Sequence, residues 1–377
     1  MPFAHSPRLS RFALLFTGLL AATPLLARAD SYRIVANIEG SVTALSANGQ
    51  AATGMTLDNF ETFRWTARGG MVRLGRSTWD TLGHMSGTPR ISANGQVVSA
   101  TILSDDGTFS TAGRWTPSSG WSSLAPLPAN GGVVDGETSS AYGLSGDGQV
   151  VTGLFWLASG SGAHAMRWSA TSGMGDLGAE GRSSRADGAS HDGRVLAGWD
   201  EHPSYGNRRA TVWVQGVRTV LEDSDWPSEA SAVTPDGSTV VGLSGNPSDF
   251  QTYATRWTWN GSAWDKTLLG VIHKRGATGY AFATGISADG AVIVGSNRPD
   301  GMSPKQIGFI WTASSGFQDV SQVLQAAGVR LNPLQPVIGV GAISADGSTL
   351  AVITQGLTAP WPTRTLIVRR TASAQQR

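Results

Sequence analysis

The sequence predicts an all-β fold, assembled from tandem four-stranded units closed into a ring. Three observations carry this prediction. A Ser/Thr-x-Asp/Asn-Gly turn recurs at Ser46, Ser92, Ser145, Ser190, Thr234, Ser287 and Ser344, at spacings of 46, 53, 45, 44, 53 and 57 residues. A tryptophan returns at one position of the strand after the variable loop, at Trp65, Trp115, Trp168, Trp213, Trp257 and Trp311. The composition is rich in turn and strand formers, with 49 Gly and 14 Trp in 377 residues. Four strands in about 40–45 residues is the period of a propeller blade, and propellers carry about 4–8 blades. Seven anchors therefore predict a seven-bladed β-propeller of four-stranded antiparallel blades. A stacked β-solenoid is the competing fold, but its coils run to about 20–30 residues and lack a four-strand meander.

The elements follow in chain order. Arg8 and Arg11, the apolar run Phe12 to Leu26, and Ala27-Arg28-Ala29 have the layout of a cleavable signal peptide over 1–29. The apolar run is shorter than the ~20 residues of a membrane span. Residues 30–377 then form one propeller domain. Tyr32 to Ile38 is a β-rich stretch standing before the first unit. Each unit reads strand, tight turn, strand, variable loop, Trp strand, glycine turn, strand. The turn glycines Gly49, Gly95, Gly148, Gly193, Gly237, Gly290 and Gly347 follow Asn or Asp, a pair that tolerates the positive φ of a tight hairpin. Strands such as Val150-Val151-Thr152-Gly153 come next, and several units close on Leu-Gly, as at Leu74-Gly75, Leu177-Gly178 and Leu269-Gly270. Val320, Val323 and Leu324 stand at helical spacing and predict a short packing helix within 319–328, between the sixth and seventh units. The last unit lacks a fourth strand, so residues 32–38 are expected to pair with 365–369 and lock the ring, which removes an open sheet edge.

These units resemble the HAF repeat, a bacterial extracellular repeat with His-Ala-Phe ahead of Arg-Trp. The third copy matches best, as His164-Ala165-Met166-Arg167-Trp168 followed by Gly173 to Gly178. The resemblance covers essentially the whole mature chain. It implies export and a repeat scaffold, and brings no general activity. Other copies place Glu61 or Tyr253 where the signature has His, which argues against a catalytic role for that position.

Charge and cysteine content narrow the function. With 28 Lys and Arg against 27 Asp and Glu, the chain lacks the basic face of a nucleic-acid binder. It has no cysteine, so neither disulfides nor a lipid-bearing cysteine is expected, and the core alone must hold the fold. A periplasmic or extracellular protein follows, with no membrane insertion after signal cleavage and no cofactor or metal implied. One carboxylate per turn is far short of the oxygen set that calcium takes.

The six repeated tryptophans read as structural, because a ligand site is rarely built six times while a large aromatic at a fixed strand position fills the space between blades. Arg64, Arg114, Arg167 and Arg256 precede four of them and are expected to meet a neighbouring turn or aromatic plane. Function is expected on the loops after second and fourth strands, which a meander brings to one face. The candidates there are Trp79, Trp156, Trp199, His202, Tyr205, Trp226 and Trp361. Aromatic rings among polar side chains suit a polysaccharide or an envelope or extracellular protein as partner. Trp259 and Trp264 flank Asn260-Gly261 and belong to a hairpin on the opposite side. Two other readings stand beside the binding scaffold. One is a carbohydrate-active propeller enzyme, for which His84, Asp200, Glu201, His202, Tyr205, Asp223, Asp225 and His273 are the available groups, without diagnostic spacing. The other is a structural or adhesive envelope module.

Overall fold

The computed structural model describes residues 31–179, 181–301 and 305–371. The leader expected over residues 1–29 lies outside them. Strand β1 (Ser31–Glu39) precedes β2 (Ser41–Leu45), β3 (Ala51–Met55), β4 (Thr62–Thr66) and β5 (Gly70–Arg73), which form the first meander. After the short helix α1 (Trp79–Leu82) come β6 (Arg90–Ile91), β7 (Val98–Leu103), β8 (Ser110–Thr116) and β9 (Gly120–Ser123). The third sheet is β10 (Ser139–Leu144), β11 (Val150–Trp156), β12 (Ala163–Ser169) and β13 (Gly173–Asp176). The fourth is β14 (Ser184–Ala189), β15 (Val195–Glu201), β16 (Arg208–Val214) and β17 (Val217–Val220).

An eight-stranded sheet follows. It holds β18 (Ser228–Val233), β19 (Thr239–Asn246), β20 (Gln251–Trp259), β21 (Trp264–Gly270), β22 (Tyr280–Ile286), β23 (Val292–Arg298), β24 (Ile307–Thr312) and β25 (Gly316–Asp319). Its halves share a single strand pairing, where Thr252 stands parallel to Tyr280. Helix α2 (Val320–Ala326) leads to β26 (Val337–Ile343), β27 (Thr349–Gln355) and β28 (Thr363–Thr371). The chain is thus all-β, mostly in four-stranded antiparallel sheets.

The N-terminal strand closes the last sheet as expected. β1 runs antiparallel to β28, with Tyr32 opposite Arg370 and Ile38 opposite Thr365. Strand order there is β1-β28-β27-β26, so the two ends of the chain share one sheet.

The anchor turns form for a local reason. Ser46 Oγ donates to Asn48 Oδ1 (2.9 Å) and accepts the Ala51 N–H (2.9 Å), while Asn48 Oδ1 also accepts the Gln50 N–H (3.0 Å). The same three bonds recur at Ser145, Thr234 and Ser344. Gly49 completes the turn at φ +63°, where a side chain would be strained. Ser104-Asp105-Asp106-Gly107 builds the same turn between β7 and β8, with Ser104 Oγ 2.6 Å from Asp106 Oδ1. This copy falls outside the repeat register.

Neighbouring sheets bury their faces against one another, and the repeated tryptophans fill the gaps. Trp65 packs with Val42, Ala342 and Ile367, joining the first and last sheets. Trp213 and Trp257 are fully buried, Trp65 and Trp311 nearly so, and Trp115 and Trp168 partly. In the last sheet Val368 pairs with Leu350 in the register where Trp65 pairs with Ala52. The missing indole volume is met by α2, whose Val320 and Leu324 are buried in the same cluster as Val368. Asp319 caps that helix through the Ser321 N–H, so the expected packing helix is present.

Two further devices tie unit to unit. Arg64 Nε donates to the Gly95 carbonyl (2.7 Å), Arg114 to Gly148 (2.9 Å) and Arg167 to Gly193 (3.4 Å), each in the next anchor turn. Arg369 reaches Gly49 in the same way (3.3 Å), and Arg256 lies over the Trp311 ring at 5.2 Å. The expected neighbour is met, through a carbonyl or a ring rather than through the turn carboxylate. Nearer the axis, the Ala47 N–H donates to Ala93 O, Ala93 to Gly146 O, His191 to Pro235 O, Ala288 to Ala345 O, and Ala345 back to Ala47 O. Pro235 has no N–H, which interrupts the circuit before Ala288.

Replacing Trp213 with Ala should lower unfolding free energy by about 3–5 kcal/mol, the cost of deleting a buried aromatic. Trp361→Ala should leave the urea midpoint unchanged, because that ring is mostly exposed.

Candidate ligand-binding face

An antiparallel meander sorts its connections by end. Turns between first and second strands, and between third and fourth, lie at one end of each sheet. Loops between second and third strands, and crossings to the next unit, lie at the other. Leu57, Trp79, Met85, Val133, Tyr205, Phe250, Leu334, Leu357 and Trp361 are exposed apolar residues, all on connections of that second kind. The opposite end shows Val214, Val217 and Trp259 at two hairpin turns. Trp259 and Trp264 do face each other across that hairpin, ring centres 5.7 Å apart, as the sequence indicated.

A groove of ≈ 610 Å³ opens on the variable end. The β27–β28 loop brings Leu357 and Trp361, the latter 58% exposed. The α2–β26 connection brings Leu331, Pro333 and Pro336. Around this apolar floor stand the amides of Gln306, Gln325, Asn332, Gln335 and Gln355. Lys305 and Ser321 also line it, and among the described residues no carboxylate does. An amide presents both donors and an acceptor, so this rim can bond hydroxyl groups in either sense. Of the sequence candidates only Trp361 belongs to the groove. Its amides carry no sequence signal, because they come from three separate connections and share no spacing.

The other candidates are dispersed. Trp79 packs edge-on against Phe60 (4.8 Å) and Trp226 against Phe250 (5.7 Å). Tyr205 is 65% exposed and stacks on His202 at 4.5 Å. His202 Nδ1 accepts the N–H groups of Ser204 (3.1 Å) and Tyr205 (3.3 Å), which leaves the proton on Nε2, 3.6 Å from Asp223. Trp156 is half-buried near Glu137, whose carboxyl is pushed up by burial.

Trp199 requires a correction. It lies within β15 and is only 7% exposed, so it offers no open ring to a ligand. Alternation turns it inward, where the guanidiniums of Arg208 (4.4 Å) and Arg185 (5.5 Å) cover it. Arg185 also pairs with Asp187 (2.6 Å) and Glu229 (3.0 Å), and Arg208 with Glu229 (2.7 Å).

Asp187 occupies a bulge in β14, where the register shifts between Ala186 and Gly188. The corresponding bulge residues Thr43, Ser231 and Thr284 donate hydroxyl bonds to carbonyls of the next unit, at 2.6, 2.5 and 2.7 Å. A carboxylate cannot donate there, and Asp187 Oδ2 has no hydrogen-bond partner. Burial raises its pKa to about 7; Arg185 opposes that rise and Glu229 adds to it.

The groups available for acid–base chemistry are spread and largely engaged. Asp200 is wholly buried beneath Arg209 (3.2 Å), Arg218 (3.0 Å) and Arg182 (3.8 Å). Asp223 pairs with Arg209 at 2.5 Å, and that hydrogen bond holds its carboxyl below the usual range. Glu201 accepts the Ser183 N–H (2.9 Å). His84, Asp225 and His273 sit on three different unit crossings. In the HAF-like copy, His164 is buried and bonds Asp176 at 2.9 Å.

No family model matches the chain, and no curated protein matches it. Solved structures do. The β-propeller domain of the Trilobed protease from Pyrococcus furiosus aligns with a TM-score of 0.52 and 9% identity, covering 89% of this chain and 96% of that one. The Cps50 (Swd1) β-propeller domain of Myceliophteria thermophila gives 0.52 at 11% identity, covering 89% and 98%. A prolyl endopeptidase gives 0.55 at 11% identity, covering 88% of this chain and 46% of its own length. At these identities the likeness shows the fold, a β-propeller.

A carboxyl that titrates higher when folded than when unfolded binds its proton more tightly in the native state. Its ionisation therefore removes stability as pH rises from the ordinary 3.8 through about 7. Asp187→Asn should lose this dependence. Urea unfolding near pH 5 and near pH 8 should show a smaller fall in stability for the variant than for the parent.

Proposed function

We propose that this chain is an exported, seven-bladed propeller scaffold of the HAF-repeat kind that binds a neutral glycan in the Trp361 groove. The groove itself carries the reading: an exposed indole and prolines beside five side-chain amides, with no carboxylate on the lining. Sugar rings present apolar faces to aromatics and hydroxyls to amides, and this surface offers both.

Export rests on the basic start, apolar run and small-residue cleavage site over 1–29. Among the described residues no helix is long and apolar enough to cross a membrane. The blade count rests on the repeat and on the axial cavity, which β2, β6, β10, β14, β18, β22 and β26 all line. The eight-stranded sheet counts as two blades joined by one strand-paired residue pair.

The mature protein should bind a neutral oligosaccharide series, such as cello-, chito- or malto-oligosaccharides, by calorimetry. Trp361→Ala should weaken binding about tenfold or more, about 1.4 kcal/mol, with an unchanged melting temperature. Release of reducing ends would instead favour a carbohydrate-active enzyme. Failure of every neutral glycan, with capture of an envelope protein on the same face, would replace the glycan by a protein partner.

A further inference from the structure

In the axial cavity, of ≈ 200 Å³, two side chains break the symmetry of the repeat: His191, where the other copies have Ala, Gly or Pro, and Arg90. Two positions before each anchor Ser or Thr, the first strand turns a residue into this cavity. Those residues are Ala44, Gly143, Gly188, Ala232, Gly285 and Ala342 in six copies, and Arg90 in the remaining one. One position further on, the lining is apolar, with Leu45, Ile91, Leu144 and Ile286 among its side chains.

Arg90 donates to both neighbours, from Nε to Tyr142 O (3.0 Å) and from Nη1 to Thr43 O (3.0 Å). Carbonyls meet the geometry but leave the charge. Among the described residues no carboxylate lies within ion-pair distance of Arg90. Asp187, which interacts with it at longer range, is already paired with Arg185. In the adjoining network Arg185 and Arg208 face Asp187 and Glu229, two cations against two acids. Arg90 is the cation left over. Burial pulls its pKa down, which is the expected cost of a half-buried guanidinium without a counter-ion.

We propose that the axial cavity binds a small carboxylate, with Arg90 as the counter-ion and the surrounding Leu, Ile and Ala side chains receiving its short aliphatic body. The site is separate from the Trp361 groove and does not depend on the glycan reading. The carboxylate supplies the missing charge, and the carbonyl bonds of Arg90 hold the guanidinium in place beforehand.

Crystals of the mature protein soaked in sodium bromide test the charge, and sodium propionate tests the shape. The expected anomalous map has bromide within about 4 Å of the Arg90 guanidinium, a contact distance for a charge-assisted pair. Propionate should displace it, and should raise the melting temperature in proportion to its concentration, an effect lost in Arg90→Gln. A cavity empty of bromide overturns the site. Bromide that propionate neither displaces nor replaces marks an adventitious ion only, and overturns the carboxylate. If Arg90→Gln does not fold, the bromide and propionate maps of the parent protein still decide.

Discussion

Each sheet in this molecule has two faces to hide and too little material of its own to hide them. A four-stranded meander alone in water is marginal, so its stability is borrowed from the sheets on either side. That mutual dependence explains why one turn, one tryptophan and one arginine recur. The turn sets the register, the indole fills the widening gap towards the rim, and the arginine reaches into the next turn. Where the last sheet has Val368 instead of Trp, α2 brings Val320 and Leu324 to the same cluster. The interface stays filled while its chemistry changes.

Between the first and second strands of a sheet the constraint is different, because the two backbones approach too closely for a side chain at certain positions. Bulges bring the first strand hard against the second, and a Cβ on Gly54 would lie 1.9 Å from the Ser41 carbonyl oxygen. A Cβ on Gly242 would lie 1.8 Å from that of Glu229. These glycines follow from crowding rather than from turn geometry. Against that background an arginine at the channel position and a carboxylate in a hydroxyl position are departures from the rule. Local departures in an otherwise regular repeat are where function or strain is expected.

The two ends of the sheets divide labour in a way the meander imposes. Short polar turns cap one end, and their own side chains satisfy their backbone. The other end receives every connection whose length is free to vary, and there the exposed apolar side chains gather. Rigid sheets hold these loops without specifying them, which is how a repeat scaffold can acquire a binding surface.

Much of the architecture was legible because it depends on contacts local in sequence. Ser-x-Asp-Gly closes its turn within six residues, alternation places each Trp on a known side, and leftover strand residues at the two ends announce a shared sheet. Trp199 shows the limit. In sequence it resembles Trp361, an indole outside the repeat register, yet β15 buries one beneath two arginines while a loop exposes the other. The groove amides are equally opaque, since Gln306, Gln325, Gln335 and Gln355 become neighbours only when separate connections converge. The sequence by itself determined the units, their order and their closure, because short-range turns and periodic apolar residues encode them. Only the tertiary structure decided which side chains face water, which carboxylates meet arginines and where a cavity opens, because those outcomes depend on distances between residues far apart in the chain.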